Sequence, residues 1–215
     1  MTGELVAERF GFDGGRAVRV HVPAEAPEAV LFCGDAQIVV PWGGDVDAAD
    51  APATLLVGVD RVDDEELRLH EYSPSFDPER FAAHETFIVD EVRPWVRERF
   101  GFDLPPERTA AFGVSAGGEL ALALAMRHPD LFGAVLCASP GGGYRPPDVL
   151  PDPLPRAYLV AGAQEPWFGE NAARWAAALG DGGADVVLAE RDGEHGGAFW
   201  RAELPAMVRW LVAGS

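Results

Sequence analysis

Residues 108–118 read Arg-Thr-Ala-Ala-Phe-Gly-Val-Ser-Ala-Gly-Gly, and this stretch decides the fold. Its first half is a short apolar run typical of a buried strand, and residues 119–127 have the composition of a helix. The turn between them is G-x-S-x-G, in which glycines at 113 and 117 permit tight backbone packing. In this context the pattern predicts that Ser115 projects its hydroxyl into open space as a nucleophile. An ordinary glycine-rich turn is the alternative.

Further strands are predicted on both sides of this stretch. Residues 4–10 and 16–22 flank a Gly-Phe-Asp-Gly-Gly turn and predict an antiparallel hairpin. Short apolar runs bounded by turn residues predict strands that are buried on both faces of a parallel sheet. These runs cover residues 29–33, 53–59, 109–112, 134–138, 157–161 and 185–189.

Helical segments separate most of these strands. One helix begins at Asp77-Pro78, an N-cap followed by proline at the first position, and runs to about Phe100 with a kink expected at Pro94. The last helix covers about Phe199 to Leu211. We therefore predict a single α/β domain over residues 1–215, a sandwich of about eight mostly parallel strands without a large lid domain.

Composition excludes several classes of function. The formal charge of −18 is spread along the chain, which argues against nucleic acid and anionic membranes as partners. No run approaches the length of a membrane span and residues 1–10 contain no apolar signal core, so we expect a cytoplasmic protein. Because the chain has no lysine, a phosphate-loop lysine, a Schiff base and a Ser-Lys dyad are excluded.

Neither the histidines nor the cysteines have the spacing of metal ligands, so no metal or other cofactor is expected. Cys33 and Cys137 both fall in apolar runs, which favours two buried free thiols over a disulfide. No sequence feature indicates an oligomeric state.

The general base should be a histidine at the carboxyl end of a strand, where active groups of open α/β sheets collect. Of the five histidines, His195 is the one in such a loop, Glu190–Gly197, just before the last helix. The others are placed at the end of the hairpin, in a polar loop, within the long helix and at a helix end: His21, His70, His84 and His128. His195 is the predicted base, and His70 is the one alternative that could line a pocket.

The acid should come between Ser115 and His195 in the chain, following the order of such triads. Glu165 lies shortly after the strand at 157–161 and could turn toward His195 to fix its tautomer. Glu170 is the fallback, although a carboxylate there is also explained by its place at a helix N-terminus. Asp192 and Glu194 are close to His195 but in the wrong order.

An oxyanion hole requires backbone N–H groups near the nucleophile. One donor is predicted at Ala116, directly after Ser115, and the other at Ala36 or Gln37 in the loop after the third strand. The alternative for that loop is an ordinary β-turn. Candidate pocket walls flank the strand ends, although any of the aromatic residues could instead be core: Asp35, Trp42, Pro140, Tyr144, Trp167, Phe168 and Phe199.

The chain resembles the putative-esterase branch of the α/β-hydrolases, which includes enterochelin-esterase-like, esterase D-type and feruloyl esterase proteins. Val-Leu-Phe-Cys-Gly-Asp-Ala-Gln at residues 30–37 is similar to the family's V-L-Y-L-L-D-G-Q. Further similar segments are residues 57–60, 68–74, 81–87, 113–117 and 195–200. The resemblance implies an α/β-hydrolase sandwich with Ser115 and His195 as catalytic residues, and Glu165 matches the family's G-x-x-[DE] acid. Ala36 replaces the usual glycine, and Glu165 the usual aspartate.

These observations predict a serine carboxylic-ester hydrolase that acts through an acyl-enzyme on a small or polar ester. Three alternatives use the same fold. The first is acyl transfer to an alcohol or amine. The second is hydrolysis of a macrolactone, a siderophore ester or a thioester within a biosynthetic pathway. The third is a binding module without catalytic activity.

Overall fold

The computed structural model describes residues 3–214, in which eight strands form one sheet. The remaining residues of the predicted domain, 1, 2 and 215, lie outside this range. The strands are β1 Glu4–Phe10, β2 Arg16–Val22, β3 Ala29–Cys33, β4 Thr54–Val59, β5 Thr109–Val114, β6 Ala134–Ala138, β7 Arg156–Gly162 and β8 Val186–Arg191. Their order across the sheet is β1-β2-β4-β3-β5-β6-β7-β8.

The pairing of the strands confirms the predicted fold class. β2 pairs antiparallel with both β1 and β4, and the other five pairs are parallel. β5 continues through Val114, two residues beyond its predicted end, so that Ser115 follows the strand directly. β8 also ends later than predicted, because Glu190 and Arg191 pair with β7 at the sheet edge, where polar side chains reach solvent.

Helices connect the strands. They are α1 Ala36–Val39, α2 Gly43–Ala48, α3 Glu65–Tyr72, α4 Pro78–Thr86, α5 Arg93–Phe100, α6 Ala116–Arg127, α7 Pro166–Asp181 and α8 Phe199–Ala213. Short 3-10 turns lie at Phe12–Gly14, Val40–Trp42 and Pro106–Arg108. None of the helices in residues 3–214 is both long enough and apolar enough to cross a membrane.

Two helical segments differ from the sequence predictions. The sequence predicts a polar loop around His70, but the structure has a helix there, α3. Asp64 caps this helix by accepting hydrogen bonds from the N–H groups of Glu66 and Leu67. Between α4 and α5, residues Phe87–Val92 form π turns immediately before Pro94. The wider turns accommodate the ring and the missing N–H of this proline.

Side chains alternate between the two faces of the sheet and build a core on each. In β3, Val30 and Phe32 pack on the face that α3 to α7 cover, whereas Leu31 and Cys33 pack on the face of α1, α2 and α8. Cys137 is buried on the first face, so the two thiols are free, as predicted. Both faces are covered while the carboxyl ends of β5, β7 and β8 stay together at one edge, which is where the site forms.

Candidate active site

Ser115 occupies a strained turn between β5 and α6. Its φ and ψ are 56° and −125°, a conformation that L residues rarely adopt. A side chain at Gly113 would overlap the backbone of Gly117, and one at Gly117 would press against the Asp35 carboxylate. The glycines of the motif are therefore required by close packing, and the turn leaves the serine hydroxyl facing the loops after β7 and β8.

A hydrogen-bonded chain joins Ser115, His195 and Glu165. The Ser115 hydroxyl lies 3.0 Å from His195 Nε2, and His195 Nδ1 lies 2.6 Å from Glu165 Oε2. A carboxylate can only accept, so Nδ1 carries the proton and Nε2 offers its lone pair to the serine hydroxyl. This is the tautomer that a general base toward Ser115 requires.

The loops that carry His195 and Glu165 are tied to each other. The N–H of Ala163 donates to the Arg191 carbonyl at 2.8 Å, and the N–H of Gln164 donates to the Gly193 carbonyl at 3.0 Å. The imidazole of His195 stacks on the Phe168 ring with centroids 3.7 Å apart, and Trp200 meets it edge-on at 4.8 Å. Although the side chain of His195 is one-third exposed, its orientation is therefore fixed.

Glu165 is buried, and its second oxygen is also occupied. Oε1 accepts hydrogen bonds from the Gly162 N–H at 2.6 Å and from the Ser139 hydroxyl at 2.5 Å. The Ser139 oxygen in turn accepts from the indole N–H of Trp200 at 2.7 Å. The carboxylate is thus held by backbone, serine and histidine, which keeps one lone pair aimed at His195.

The rival acids lie elsewhere. Glu170 is exposed on α7 and lines a separate groove along β8. Asp192 accepts a hydrogen bond from the Gln164 side chain at 2.8 Å, and Glu194 is exposed. Among residues 3–214, Glu165 is the carboxylate that contacts His195.

The other four histidines have partners away from Ser115. His84 is buried, its Nδ1–H donates to the Glu71 carbonyl, and burial lowers its pKa to about 4. The remaining three lie beside carboxylates of Asp47, Asp77 and Glu85: His21, His70 and His128. In the described part of the chain no group of three or more potential metal ligands is arranged around one point.

Two of the predicted oxyanion donors lie at helix starts that directly follow β3 and β5. Ala36 and Ala116 are the first residues of α1 and α6, and N–H groups at such positions have no acceptor within the helix. Asp35, which precedes α1, has a left-handed backbone conformation with φ 50°. The loop is thus a turn that leads directly into α1.

Asp35 is held by α3. Its carboxylate forms a bidentate pair with Arg68, and its N–H donates to the Tyr72 hydroxyl at 2.7 Å. Burial by itself would lower the pKa of Arg68, but the hydrogen bond to the Asp35 carboxylate outweighs it, so the pKa of Arg68 is raised. Burial raises the pKa of Tyr72. These contacts fix the backbone that leads into Ala36.

A cavity of about 210 Å³ lies beside Ser115. Its apolar walls are Ile38, Val39, Trp42, Val114 and Trp200, and its polar side is formed by Asp35, Arg61 and Arg68. Two of the predicted pocket residues, Asp35 and Trp42, therefore line it.

The other predicted pocket residues lie outside this lining. Phe168 supports His195, and Trp167 packs edge-on against Phe168 with half of its surface exposed. Pro140 and Tyr144 belong to a loop whose N–H groups at 143 and 144 donate to the buried Glu119 carboxylate. Phe199 is buried beneath the loop that carries His195. Its ring occupies the space that a side chain at Gly193 would need.

Sequence reasoning did not predict four residues that hold the site together, Arg68, Tyr72, Ser139 and Trp200. It also did not predict the cavity walls Ile38, Val39, Arg61 and Val114. Trp200 lies at the start of the last predicted helix, is half-buried and lines the cavity. The Asp64-Glu65-Glu66 run is typical of an acidic N-cap and first turn, and it would have placed Arg68 and Tyr72 one helical turn apart on the same helix. No local signal marks Ser139.

A family model described as "Putative esterase" matches residues 41–211. A search of curated proteins found no match. The fold is similar to that of a ferulic acid esterase, with a TM-score of 0.76 and 16% identity over 99% of this chain and 98% of the other.

Two further solved structures share the fold. The enterobactin esterase of Shigella flexneri, in the presence of enterobactin, superposes with a TM-score of 0.79 and 21% identity, covering 100% of this chain. This chain spans 60% of that protein's length. A CE1 ferulic acid esterase from the anaerobic fungus Anaeromyces mucronatus has a TM-score of 0.70 and 14% identity over 98% of this chain and 89% of the other.

Proposed function

The chain belongs to the putative esterase family and is a hydrolase-type enzyme, and from this we propose that it cleaves a small carboxylic ester through an acyl-enzyme formed on Ser115. His195 is the general base and Glu165 the acid that orients it. The observation that carries the proposal is the unbroken chain from the Ser115 hydroxyl to His195 Nε2 and from Nδ1 to Glu165. A strained serine with a correctly oriented imidazole is the arrangement that activates a hydroxyl nucleophile.

Acylation begins when the Ser115 oxygen attacks the ester carbonyl and its proton passes to His195 Nε2. The carbonyl oxygen becomes an oxyanion, which the N–H groups of Ala116 and of Ala36 or Gln37 stabilise. The C–O bond to the alcohol then breaks, and His195 Nε2–H protonates the departing oxygen. Glu165 stays ionised throughout and stabilises the imidazolium.

Deacylation repeats these steps with water as the nucleophile. His195 takes a proton from water, the hydroxide attacks the acyl carbonyl, and the proton returns to the Ser115 oxygen as the acid leaves. His195 is one-third exposed, so water has access to it. If an alcohol or amine attacks in place of water, the product is a new ester or amide and not the free acid, so the product distinguishes acyl transfer from hydrolysis.

The cavity supports a short acyl group as substrate. Its volume is about 210 Å³ and its walls are mostly apolar. An apolar cavity of roughly 150 Å³ accommodates benzene, so this one has room for a single ring or a short chain. A long acyl chain would have to leave the cavity and lie on the surface.

Purified full-length protein and p-nitrophenyl esters of increasing acyl length test this proposal. We expect hydrolysis of acetyl to hexanoyl esters, a marked fall in kcat/KM for the lauroyl ester, and no hydrolysis above background by Ser115→Ala. Adding an alcohol or amine acceptor and measuring both products separates hydrolysis from transfer. The proposal is wrong if no ester is cleaved and a fluorophosphonate fails to label Ser115.

A further inference from the structure

A buried carboxylate lies beside the proposed oxyanion donors. The side chain of Asp35 is 3% exposed, and its Oδ2 would be 3.1 Å from a Cβ atom at Gly117, two residues after Ser115. The same residue precedes Ala36, the other proposed donor. An unpaired negative charge at this position would oppose the negative charge that develops on the ester oxygen, because both would lie at the N-terminus of α6.

Arg68 neutralises this carboxylate. Its Nε donates to Asp35 Oδ1 at 2.8 Å and its Nη2 to Oδ2 at 2.7 Å, a parallel bidentate pair. The Arg68 side chain is 11% exposed and lies over the Tyr72 ring at 5.1 Å, so solvent screens the pair little. Glu65 contacts another nitrogen of Arg68, but it is exposed on the solvent side of α3. Guanidinium geometry suits this bidentate role better than an ammonium would.

Tyr72 fixes the backbone of the same turn. Its hydroxyl accepts the Asp35 N–H at 2.7 Å and lies 3.3 Å from Asp35 Oδ1. Its ring also occupies the space that a side chain at Gly34 would need. Since φ of Asp35 is 50°, the turn adopts a conformation that requires support from its surroundings, and Tyr72 supplies it. The direction of the next N–H groups depends on this turn.

We propose that Arg68 and Tyr72 are positioning residues for the oxyanion side of the site. Arg68 cancels the charge of Asp35 so that a second negative charge can form beside it, and Tyr72 holds the turn that presents the N–H groups of Ala36 and Gln37. This inference rests on the proposed function, because it assigns a role within that reaction. It also explains why a carboxylate is tolerated there: paired with Arg68, it ties the β3–α1 turn to α3.

Double substitution separates this role from substrate binding. Arg68→Met leaves the Asp35 carboxylate unpaired, and we expect kcat to fall about a hundredfold, as for loss of an oxyanion donor, with KM within about threefold. Adding Asp35→Asn removes the opposing charge, so the double variant should regain at least about tenfold of the lost kcat. The matched control is Arg127→Met, which breaks a bidentate pair with Glu85 at the opposite end of α6 from Ser115 and should leave kcat unchanged.

Unfolding temperatures identify variants that fail for structural reasons. If Arg68→Met does not fold, Arg68→Lys and Tyr72→Phe replace it, and each should lower kcat about tenfold at unchanged KM. Wild-type kcat in these variants overturns the inference, as does a rise in KM that Asp35→Asn does not relieve. A wild-type protein without esterase activity instead overturns the proposed function, so the two failures are distinguishable.

Discussion

Ser115 and Ser139 occupy matching places in the sheet but meet different neighbours. Each directly follows a central parallel strand, β5 or β6, and each has a positive φ, 56° and 51°. The N–H of Ser115 donates to the Ala138 carbonyl and that of Ser139 to the Val160 carbonyl, so each turn is tied to the next strand. Strand position, φ and the bond of the N–H group therefore do not distinguish the two serines.

Their hydroxyl groups differ in partners and access. Ser115 precedes α6, lies beside the cavity and faces the lone pair of His195 Nε2. Ser139 precedes Pro140, is fully buried, donates to Glu165 and accepts from Trp200. A strained turn therefore does not suffice for a nucleophile. The hydroxyl also needs a base, open space for the ester and N–H donors for the oxyanion.

Glu165 connects the two serines. Its Oε2 accepts from His195, which faces Ser115, and its Oε1 accepts from Ser139. The side chains from Ser115 to Trp200 thus form one hydrogen-bonded chain with the proposed nucleophile at one end. Substitutions should matter less the further they lie from that end.

Ser115→Ala should produce the largest effect, a fall in kcat of about 10³ to 10⁶, as typical for loss of a triad serine. Ser139→Ala should lose far less, because its hydroxyl never contacts the ester. Kinetics with a short p-nitrophenyl ester measure both, and mass spectrometry locates the fluorophosphonate adduct. Labelling of Ser139, or equal losses in the two variants, would reverse the roles assigned to them.

Glu165→Gln should rank second, lowering kcat by about 10² to 10⁴, because the amide can donate to Nδ1 and so favour the wrong imidazole tautomer. Glu165→Asp should be milder, since it keeps the charge at a shorter reach. Glu170→Gln is the control and should stay within about twofold, because this residue lies on an exposed helix face. Circular dichroism checks that all three variants fold.

A folded Glu165→Gln variant with near-wild-type kcat would contradict the acid assignment. An inactive Glu170→Gln alongside it would move the role to Glu170. If both variants stayed active, Ser115 and His195 would work as a pair, or Asp192 would be the next carboxylate to test.

Most strands and the three proposed catalytic residues could be predicted from the sequence. Apolar runs between turn residues gave the strands to within two residues, and the G-x-S-x-G turn marked Ser115. The place of His195 in a loop at a strand end selected the base, and the order rule selected Glu165, and the fold brings the two into contact. These inferences succeed because periodicity and turn chemistry are local properties.

The rest depends on contacts between residues far apart in sequence. The pairing of Asp35 with Arg68 spans 33 positions, and that of Ser139 with Glu165 spans 26. Trp200 has the spacing of a core residue in α8, yet it lies at the beginning of that helix and lines the cavity. Burial and partner can only be assigned to such residues once the strands are ordered.

Ser139→Gly should rank third and lower kcat about tenfold, because a hydrogen bond to a charged group contributes roughly 1.5–3 kcal/mol. Glycine removes the hydroxyl and also relieves the positive φ, so the free energy of unfolding should change less than in Ser139→Ala. Thermal unfolding and kcat are measured on both variants. Equal kcat in Ser139→Gly and wild type would show that Glu165 is held sufficiently by Gly162 and His195 alone.

Trp200→Phe should give the smallest effect, about threefold in kcat, because it keeps a ring beside His195 and loses the N–H that Ser139 accepts together with part of the cavity wall. Trp210→Phe is the control on the same helix, since that ring packs against Tyr158 and Arg156 instead. In the Ser139→Gly background, Trp200→Phe should cause little further loss, because the hydroxyl that accepts the N–H is already gone. If the two losses multiply, Trp200 acts through the wall of the cavity, and the hydrogen-bonded chain ends at Ser139.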